Sequence, residues 1–317
     1  MPLGLLYGLG AALCWGITDI LAALAGRRFG SLLTVAVSQT TSLTLLVVIG
    51  LLREGRLPLD ERILLPAMAI GVVSGVSYLT FFTALRLGPI TVVSPVVSAY
   101  GGLTVVLAVV ILGETLSGVQ ALGALVSTIG ILLVGVRFAS DWRRTRFVGP
   151  GVPFALIALV AFGFLTIGLT RPIAIAGWLP VVFASRIANT STAWLAVGAA
   201  RITRARSTAP GPARADGDTL DAELDAESAL VLGRERSRVS WRAVAILPAA
   251  GLLDLVGFLL FAVGLQEAEA WLVGLASSFG PAIAVLVAVA LLHERLRPMQ
   301  WTGLAVLVGG ILLVSRG

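Results

Sequence analysis

The sequence predicts an all-α integral membrane protein whose ten transmembrane helices form two inverted five-helix repeats. Composition, continuous apolar runs and an internal repeat predict this fold class. Of the 317 residues, 57% are hydrophobic and 13% are charged, whereas roughly 25% of the residues in a soluble domain are charged. A soluble fold cannot remove this much apolar surface from water, so the excess must face lipid.

The apolar runs are long enough to cross a bilayer, which takes about 20 mainly apolar residues as a helix. They are continuous and do not alternate, which predicts helices and excludes a barrel. The predicted spans are residues 3–25, 31–52, 63–86, 90–113, 118–136, 151–170, 178–200, 243–266, 270–292 and 299–315.

The polar segments divide the chain into a first repeat (1–136), a connecting loop (137–149) and a second repeat (150–317). The second repeat is interrupted by a polar linker, 201–242, with eight arginines and seven acidic residues. Such a segment cannot bury a core, so we expect a disordered or partly helical linker.

The internal repeat is strongest where a shift of 180 residues places the fourth and fifth spans on the ninth and tenth. Ten of 21 positions are identical in this register, including Glu114 with Glu294 and Gly123 with Gly303. A weaker shift of 147 residues aligns Ser38 with Ser185. Each half therefore holds five helices, and an odd number inserts the second half in the opposite sense. Inverted repeats are typical of secondary transporters, with the substrate site near the midplane between the halves.

The rare residue types exclude several enzyme classes. All basic residues are arginine, which excludes a P-loop or Schiff-base lysine. The single cysteine, Cys14, and the single histidine, His293, leave no disulfide or thiolate cluster, and Arg297 stands where a HExxH zinc motif needs histidine. The arginines lie mostly in loops, which favours a membrane surface over nucleic acid. We therefore expect no catalytic residue, no metal and no cofactor.

Short motifs resemble those of EamA-type members of the drug/metabolite transporter superfamily. They are Cys14-Trp15-Gly16, Ala84-Leu85 ahead of Gly88-Pro89-Ile90 and Ser94-Pro95, and the segments 112–116 and 292–296, each followed by a glycine-rich helix that ends Gly-Ile-Leu-Leu-Val.

The resemblance covers nearly the whole chain outside the linker. It implies ten helices in two repeats and a carrier, often an exporter, for small metabolites or drugs in the cytoplasmic membrane. The implied partners are a small-molecule substrate and membrane lipid, with protons as a candidate coupling ion. Two alternatives stay open: a translocase for a lipid-linked substrate, which predicts a lateral opening, and a membrane-embedded scaffold or enzyme.

Ionisable side chains inside the spans are candidate functional residues, because each costs about 2.5–3.5 kcal/mol to insert. Asp19, Arg186 and Asp254 are such residues. The carboxylates either exchange protons in a polar cavity or form a structural Asp–Arg pair, and the arginine could instead extend to the interface. Uncharged polar residues cluster at similar depth, and Trp15 and Tyr78 could stack on a cationic or aromatic substrate. The candidate substrate-binding residues are Trp15, Thr18, Asp19, Gln39, Ser74, Ser77, Tyr78, Ser94, Ser98, Arg186, Asn189, Asp254, Ser277 and Ser278.

Three further expectations concern topology and structural residues. Seventeen loop arginines against five favour a cytoplasmic linker and an external N-terminus, whereas the family commonly has both termini in the cytoplasm. Glu114 and Glu294 are interpreted as structural, each next to the N-terminus of the helix that follows. Pro95 and Pro281 are expected to kink their helices.

Overall fold

The computed structural model describes residues 3–88, 90–135, 150–207, 241–280, 282–283 and 298–316, and the regular elements in these ranges are all helices. A π-helical turn, Ala108–Leu112, continues α5. The helices are α1 (Leu3–Phe29), α2 (Ser31–Glu54), α3 (Glu61–Leu87), α4 (Ile90–Ser98), α5 (Tyr100–Leu107), α6 (Gly118–Gly135), α7 (Gly151–Ala176), α8 (Trp178–Ser207), α9 (Trp241–Glu267), α10 (Ala270–Ser277) and α11 (Pro298–Arg316).

The helix starts agree with the sequence prediction to within two residues, whereas some ends lie further along the chain. The predicted sixth span stopped at residue 170, but α7 continues through Pro172 to Ala176 and ends at Gly177, whose φ is 78°. The second helix also ends at a left-handed glycine, Gly55. These two helices therefore end at a glycine with a positive φ, and not where the apolar run stops.

Six helical segments in the described ranges are long and apolar enough to cross a membrane: Leu3–Phe29, Ser31–Glu54, Glu61–Leu87, Val93–Leu112, Gly151–Ala176 and Val244–Glu267. Two shorter apolar helices, Gly118–Val134 and Trp301–Arg316, match the predicted fifth and tenth spans. The eighth helix has 30 residues but is less apolar, because Arg186 and Asn189 lie within it and three arginines lie in its last seven residues. Outward-facing side chains such as Leu52 and Leu65 are 81% and 80% exposed, as expected for residues that face lipid. The protein is therefore a multi-pass membrane protein.

The predicted fourth span differs from a single helix, because it is interrupted between α4 and α5. The N–H of Ala99 has only long contacts, 3.3 Å each, to the carbonyls of Pro95 and Val96. The interruption lies four residues after Pro95, whereas the hydrogen bond that proline removes and the carbonyl with which its ring clashes lie in the turn before it. In the second half α10 ends at Ser277, one residue before the position that corresponds to Ser98 in the 180-residue register. Pro281 and residues 284–297 lie outside the described residues.

Helix contacts mostly join the first half of the chain to the second. The first helix packs along α9, α3 packs on α7 and α8, α2 packs on α8 and α9, α5 packs on α10, and α6 packs on α11. Neither half therefore buries its helix faces by itself.

Two glycines allow close backbone approaches between helices: Gly71 of α3 lies against α8, and Gly251 of α9 lies against α2. A Cβ at Gly71 would overlap the carbonyl oxygen of Ser185, and a Cβ at Gly251 would overlap the carbonyl oxygen of Ser38. Small residues permit such packing of helices in membranes. The hydroxyl of Ser42 also donates to the Gly251 carbonyl at 2.7 Å, which ties α2 to α9.

The last helices of the two halves, α6 and α11, run antiparallel along a similar contact. Gly123, Gly130 and Val134 of α6 lie against Val314, Leu307 and Gly303 of α11, respectively. Residue numbers rise along one helix as they fall along the other. The backbones meet directly, since Cβ atoms at Gly123 and Gly303 would lie 2.8 and 2.6 Å from backbone nitrogens.

The carboxylate of Glu114 caps a helix of the other half. It accepts hydrogen bonds from the N–H groups of Ala270, at 2.9 Å, and Trp271, at 3.0 Å, at the start of α10. The helix that follows Glu114, α6, is capped instead by a reciprocal pair of bonds between Ser117 and Gln120. Glu114 is thus structural at a helix N-terminus, but at a different helix from the expected one. Glu294 lies outside the described residues.

Candidate functional site

A buried ion pair lies between α8 and α9. The guanidinium of Arg186 donates from Nη1 to Oδ2 of Asp254 at 2.7 Å, and both side chains are at most 2% exposed. The planar guanidinium also lies over the ring of Phe258, 4.6 Å from its centroid, which is a cation–π geometry. Two opposite charges at this distance inside the protein compensate each other's loss of hydration.

The ion pair is completed by residues of α2 and α3. The amide oxygen of Gln39 accepts from Arg186, and its Nε2 donates to Asp254 at 3.3 Å. The hydroxyl of Tyr78 donates to Oδ1 of Asp254 at 2.5 Å. Both oxygens of Asp254 are therefore occupied by donors from three other helices. Gln39 and Arg186, which the 147-residue shift aligns, contact each other directly.

A second polar contact lies beside the ion pair. The side-chain nitrogen of Asn189 donates to the hydroxyl of Ser74 at 2.9 Å, which joins α8 to α3. Ser77 donates to the Val73 carbonyl of its own helix at 2.7 Å. These groups fix helices to each other or bond within one helix.

A cavity opens in front of the ion pair, between helices of both halves. Its volume is about 70 Å³, several times the volume that one water molecule needs. Its lining residues are Trp15, Thr18, Asp19, Tyr78, Phe81, Phe82, Ser94, Val97, Ser98, Tyr100, Phe162, Leu165, Thr166, Asp254, Phe258, Phe261, Ser277, Ser278 and Gly280.

Of the fourteen candidate residues, nine line this cavity and five do not. The nine are Trp15, Thr18, Asp19, Tyr78, Ser94, Ser98, Asp254, Ser277 and Ser278. The five outside the lining are Gln39, Ser74, Ser77, Arg186 and Asn189. The candidates Gln39, Arg186 and Asn189 lie on α2 and α8, and these two helices contribute no lining residue in the described chain. Their side chains instead form hydrogen bonds with Asp254 and Ser74.

Asp19 also lines the cavity, but its surroundings differ from those of Asp254. It is partly buried on α1, one turn after Trp15, so the two side chains share a helix face. In the ranges that the structure describes, no arginine lies within ion-pair distance of Asp19. Its polar neighbour is the hydroxyl of Ser94 on α4. The cavity thus contains one compensated and one uncompensated carboxylate.

The aromatic character of the wall was missed from the sequence. Eight of the lining residues are aromatic, and only Trp15 and Tyr78 were candidates. Phe162 stands in their centre, with its ring centroid 5.6 Å from Tyr78, 6.0 Å from Phe81 and 5.8 Å from Tyr100. A helical spacing of four places Phe82 beside Tyr78, so the spacing from a polar candidate could have identified it.

The described residues contain no group of three histidine, cysteine, aspartate or glutamate side chains that could hold a metal ion. The arrangement instead offers an apolar, aromatic chamber with carboxylate and hydroxyl groups at its wall. Such a chamber can hold a small solute, and its walls come from both halves of the chain.

Comparisons with known proteins support a membrane carrier fold. The model of the EamA-like transporter family matches residues 2–136 and 228–316, which is more than half of the chain. A search of curated proteins finds no match. A solved crystal structure of a protein superposes with a TM-score of 0.69 over 98% of this chain and 96% of that chain, at 18% sequence identity. At this identity the likeness concerns the fold alone.

Proposed function

The chain belongs to the EamA-like transporter family, and we propose that it is a secondary carrier. It moves a small molecule across the cytoplasmic membrane by alternating access, in the export direction that the family resemblance implies. It carries out no chemical reaction on its substrate. The observation that carries this proposal is the cavity, which lies between the two halves and is lined by α1, α3, α4 and α5 of one half and α7, α9 and α10 of the other.

The proposed architecture is ten transmembrane helices in two inverted repeats. Contacts that exchange between the halves support it: Gly71 meets Ser185 just as Gly251, its equivalent after 180 residues, meets Ser38. The antiparallel α6 and α11 contact has the same property. A two-fold axis relates two surfaces when residue i of one contacts residue j of the other and the reverse also holds. Such an axis between antiparallel helices lies in the membrane plane, as in inverted-repeat carriers.

The proposed energy source is a proton gradient, with Asp19 as the proton-carrying group. Asp254 is held by Arg186, Gln39 and Tyr78, so protonating it would remove the charge that its ion pair with Arg186 requires. Asp19 has no ion-pair partner among the described residues and lines the cavity. A carboxylate that can take up a proton or a solute without breaking the fold suits exchange between the two.

The test uses purified protein in liposomes. A thermal-shift screen against amines, amino acids, sugars and nucleosides identifies ligands, since a ligand stabilises by RT ln(1 + [L]/Kd). Uptake of a radiolabelled hit is then measured with and without an imposed pH gradient. We expect saturable uptake that the gradient accelerates.

A matched pair of variants controls this assay. Ser98→Trp fills the cavity and should abolish uptake, whereas Thr44→Trp lies on the exposed face of α2 and should not. A fluorescent-lipid assay runs in the same vesicles. Lipid transfer without solute uptake, or equal uptake by the two tryptophan variants, would contradict the carrier proposal.

A further inference from the structure

The proposed carrier leaves its substrate class open, and the cavity wall contains three features that restrict it. The first is charge. Asp254 is neutralised by Arg186, whose side chain is 1% exposed and does not line the cavity. Asp19 does line it and has no basic partner in the part of the chain that the structure describes. An ionised Asp19 therefore gives the described wall a net negative charge.

The second feature is the direction of the hydroxyl groups. Thr18, Thr166, Ser277 and Ser278 each donate to a backbone carbonyl three or four residues earlier, at distances from 2.7 to 3.0 Å. Tyr78 donates to Asp254. A hydroxyl whose proton is already used can only accept a further hydrogen bond. These five lining groups therefore present acceptors to a solute, whereas the indole N–H of Trp15, which has no hydrogen-bond partner in the described structure, is a donor at the wall.

The third feature is the aromatic wall itself. Eight aromatic rings surround the space, and ring faces attract cations through their quadrupole. One of these rings already does so in the structure, because the guanidinium of Arg186 lies over Phe258 at 4.6 Å. A ligand cation at the cavity side would meet the same kind of surface.

Other solute classes fit this wall poorly. An anion would approach Asp19 without meeting a free arginine in the described wall. A sugar needs several donors and acceptors around its hydroxyls, whereas the fixed hydroxyl groups here supply acceptors and the indole N–H of Trp15 is the unpaired donor beside them. An uncharged apolar solute would fill the aromatic space but leave Asp19 uncompensated, at the cost that a charge pays for leaving water.

We infer that the cavity binds a protonated amine with an aromatic or other apolar body, and that Asp19 is its counter-ion. The ammonium group donates to Asp19 and to neighbouring hydroxyl oxygens, while the apolar body packs among the rings around Phe162. The inference rests on the proposed function for the transport of such an amine, but binding can be measured without transport.

The experiment titrates the wild-type protein in detergent at pH 7 with four ligands of similar size, read by isothermal titration and by tryptophan fluorescence, since Trp15 lines the cavity. Phenethylamine is the cation, 3-phenylpropanol the neutral analogue, 3-phenylpropionate the anion and phenylalanine the zwitterion. We expect phenethylamine to bind at least about tenfold more tightly than each of the others. Equal binding of the alcohol, or tighter binding of phenylalanine or the anion, overturns the inference.

Variants then assign the charge to Asp19. Asp19→Asn keeps the shape, and we expect it to lose about tenfold or more in phenethylamine affinity with little change for the alcohol. Asp19→Glu should retain amine binding, and Asp60→Asn, which removes an acid outside the cavity, should bind as the wild type does. Wild-type amine affinity in Asp19→Asn overturns the assignment. The ligand series needs only the wild-type protein, so it tests the inference even if a variant fails to fold.

The liposome assay separates this inference from the carrier proposal. Amine binding without uptake of any solute contradicts the carrier and leaves the inference standing. Uptake of another solute class without amine binding contradicts the inference and leaves the carrier standing.

Discussion

Asp19 and Asp254 line one cavity, yet the protein treats their charges in opposite ways. Asp254 accepts hydrogen bonds from Arg186, Gln39 and Tyr78, so four helices meet at its carboxylate. Asp19 has no ion-pair partner in the same described chain, and the hydroxyl of Ser94 lies beside it. The difference shows that depth in a membrane does not by itself identify a functional carboxylate. The number of partners separates a group that holds helices together from one that is free to meet a solute.

The largest expected effect comes from breaking the compensated pair. Asp254→Asn leaves the guanidinium of Arg186 buried without its counter-charge, which costs about 3–5 kcal/mol. We expect a large fall in melting temperature and in the yield of monodisperse protein. The measurement is fluorescence-detected size exclusion after heating.

A double-mutant cycle sharpens this result. Arg186→Gln alone should be comparably destabilising, and the double variant should lose less than the sum, with a coupling free energy of about 0.5–3 kcal/mol. Normal stability of Asp254→Asn would contradict the structural role of the pair.

A smaller effect is expected at Glu114, an acid whose partners are backbone groups. Glu114→Gln weakens two charge-assisted bonds to the start of α10 and should cost about 0.5–2 kcal/mol, the range for a lost helix cap. Its matched control is Glu54→Gln at the exposed end of α2. If both variants melt at the wild-type temperature, the cap contributes nothing measurable.

A still smaller effect is expected at Asp60, a surface acid that caps α3. Hydrogen bonds from the Arg62 side chain and backbone hold the pKa of Asp60 below its usual value of 3.8. A lowered pKa contributes stability above the unfolded value, and that stability is lost as pH falls through the folded value. The melting difference between wild type and Asp60→Ala should therefore be small and constant from pH 7 to about pH 4, and should shrink at lower pH. A difference that grows on acidification would contradict this origin.

The smallest effect on stability is expected at Asp19 itself. Asp19→Asn removes a charge that has no basic partner in the described structure, so the melting temperature should stay the same or rise. Measured beside Asp254→Asn, it completes the contrast between the two carboxylates. A fall as large as that of Asp254→Asn would show that Asp19 also has a structural partner.

The helices could be predicted from the sequence because lipid imposes a simple rule on apolar runs. The starts of all eleven helices follow from it except that of α5, because the apolar run continues without a break across the interruption after Ser98. The less apolar α8 was still recognised, because apolar runs flank residues 185–192, which hold the polar residues of the predicted span.

The site was only partly predictable. Polarity identified Asp19 and Asp254, but not which of them is paired, because Arg186 and Gln39 reach Asp254 from positions 68 and 215 residues away along the chain. The aromatic wall could not be predicted, because aromatic residues are not unusual in a membrane helix as charged residues are. Phenylalanine is ordinary in a membrane helix, so only the fold reveals that Phe162 faces the cavity and not lipid.

The ion pair has a consequence for how the protein is made. Arg186 leaves the ribosome 68 residues before Asp254, an interval on the order of ten seconds at a synthesis rate of roughly 5–20 residues per second. During that interval α8 has to enter the membrane without its counter-charge. Gln39 was synthesised 147 residues before Arg186, and it is the partner that the nascent chain can already offer when α8 arrives.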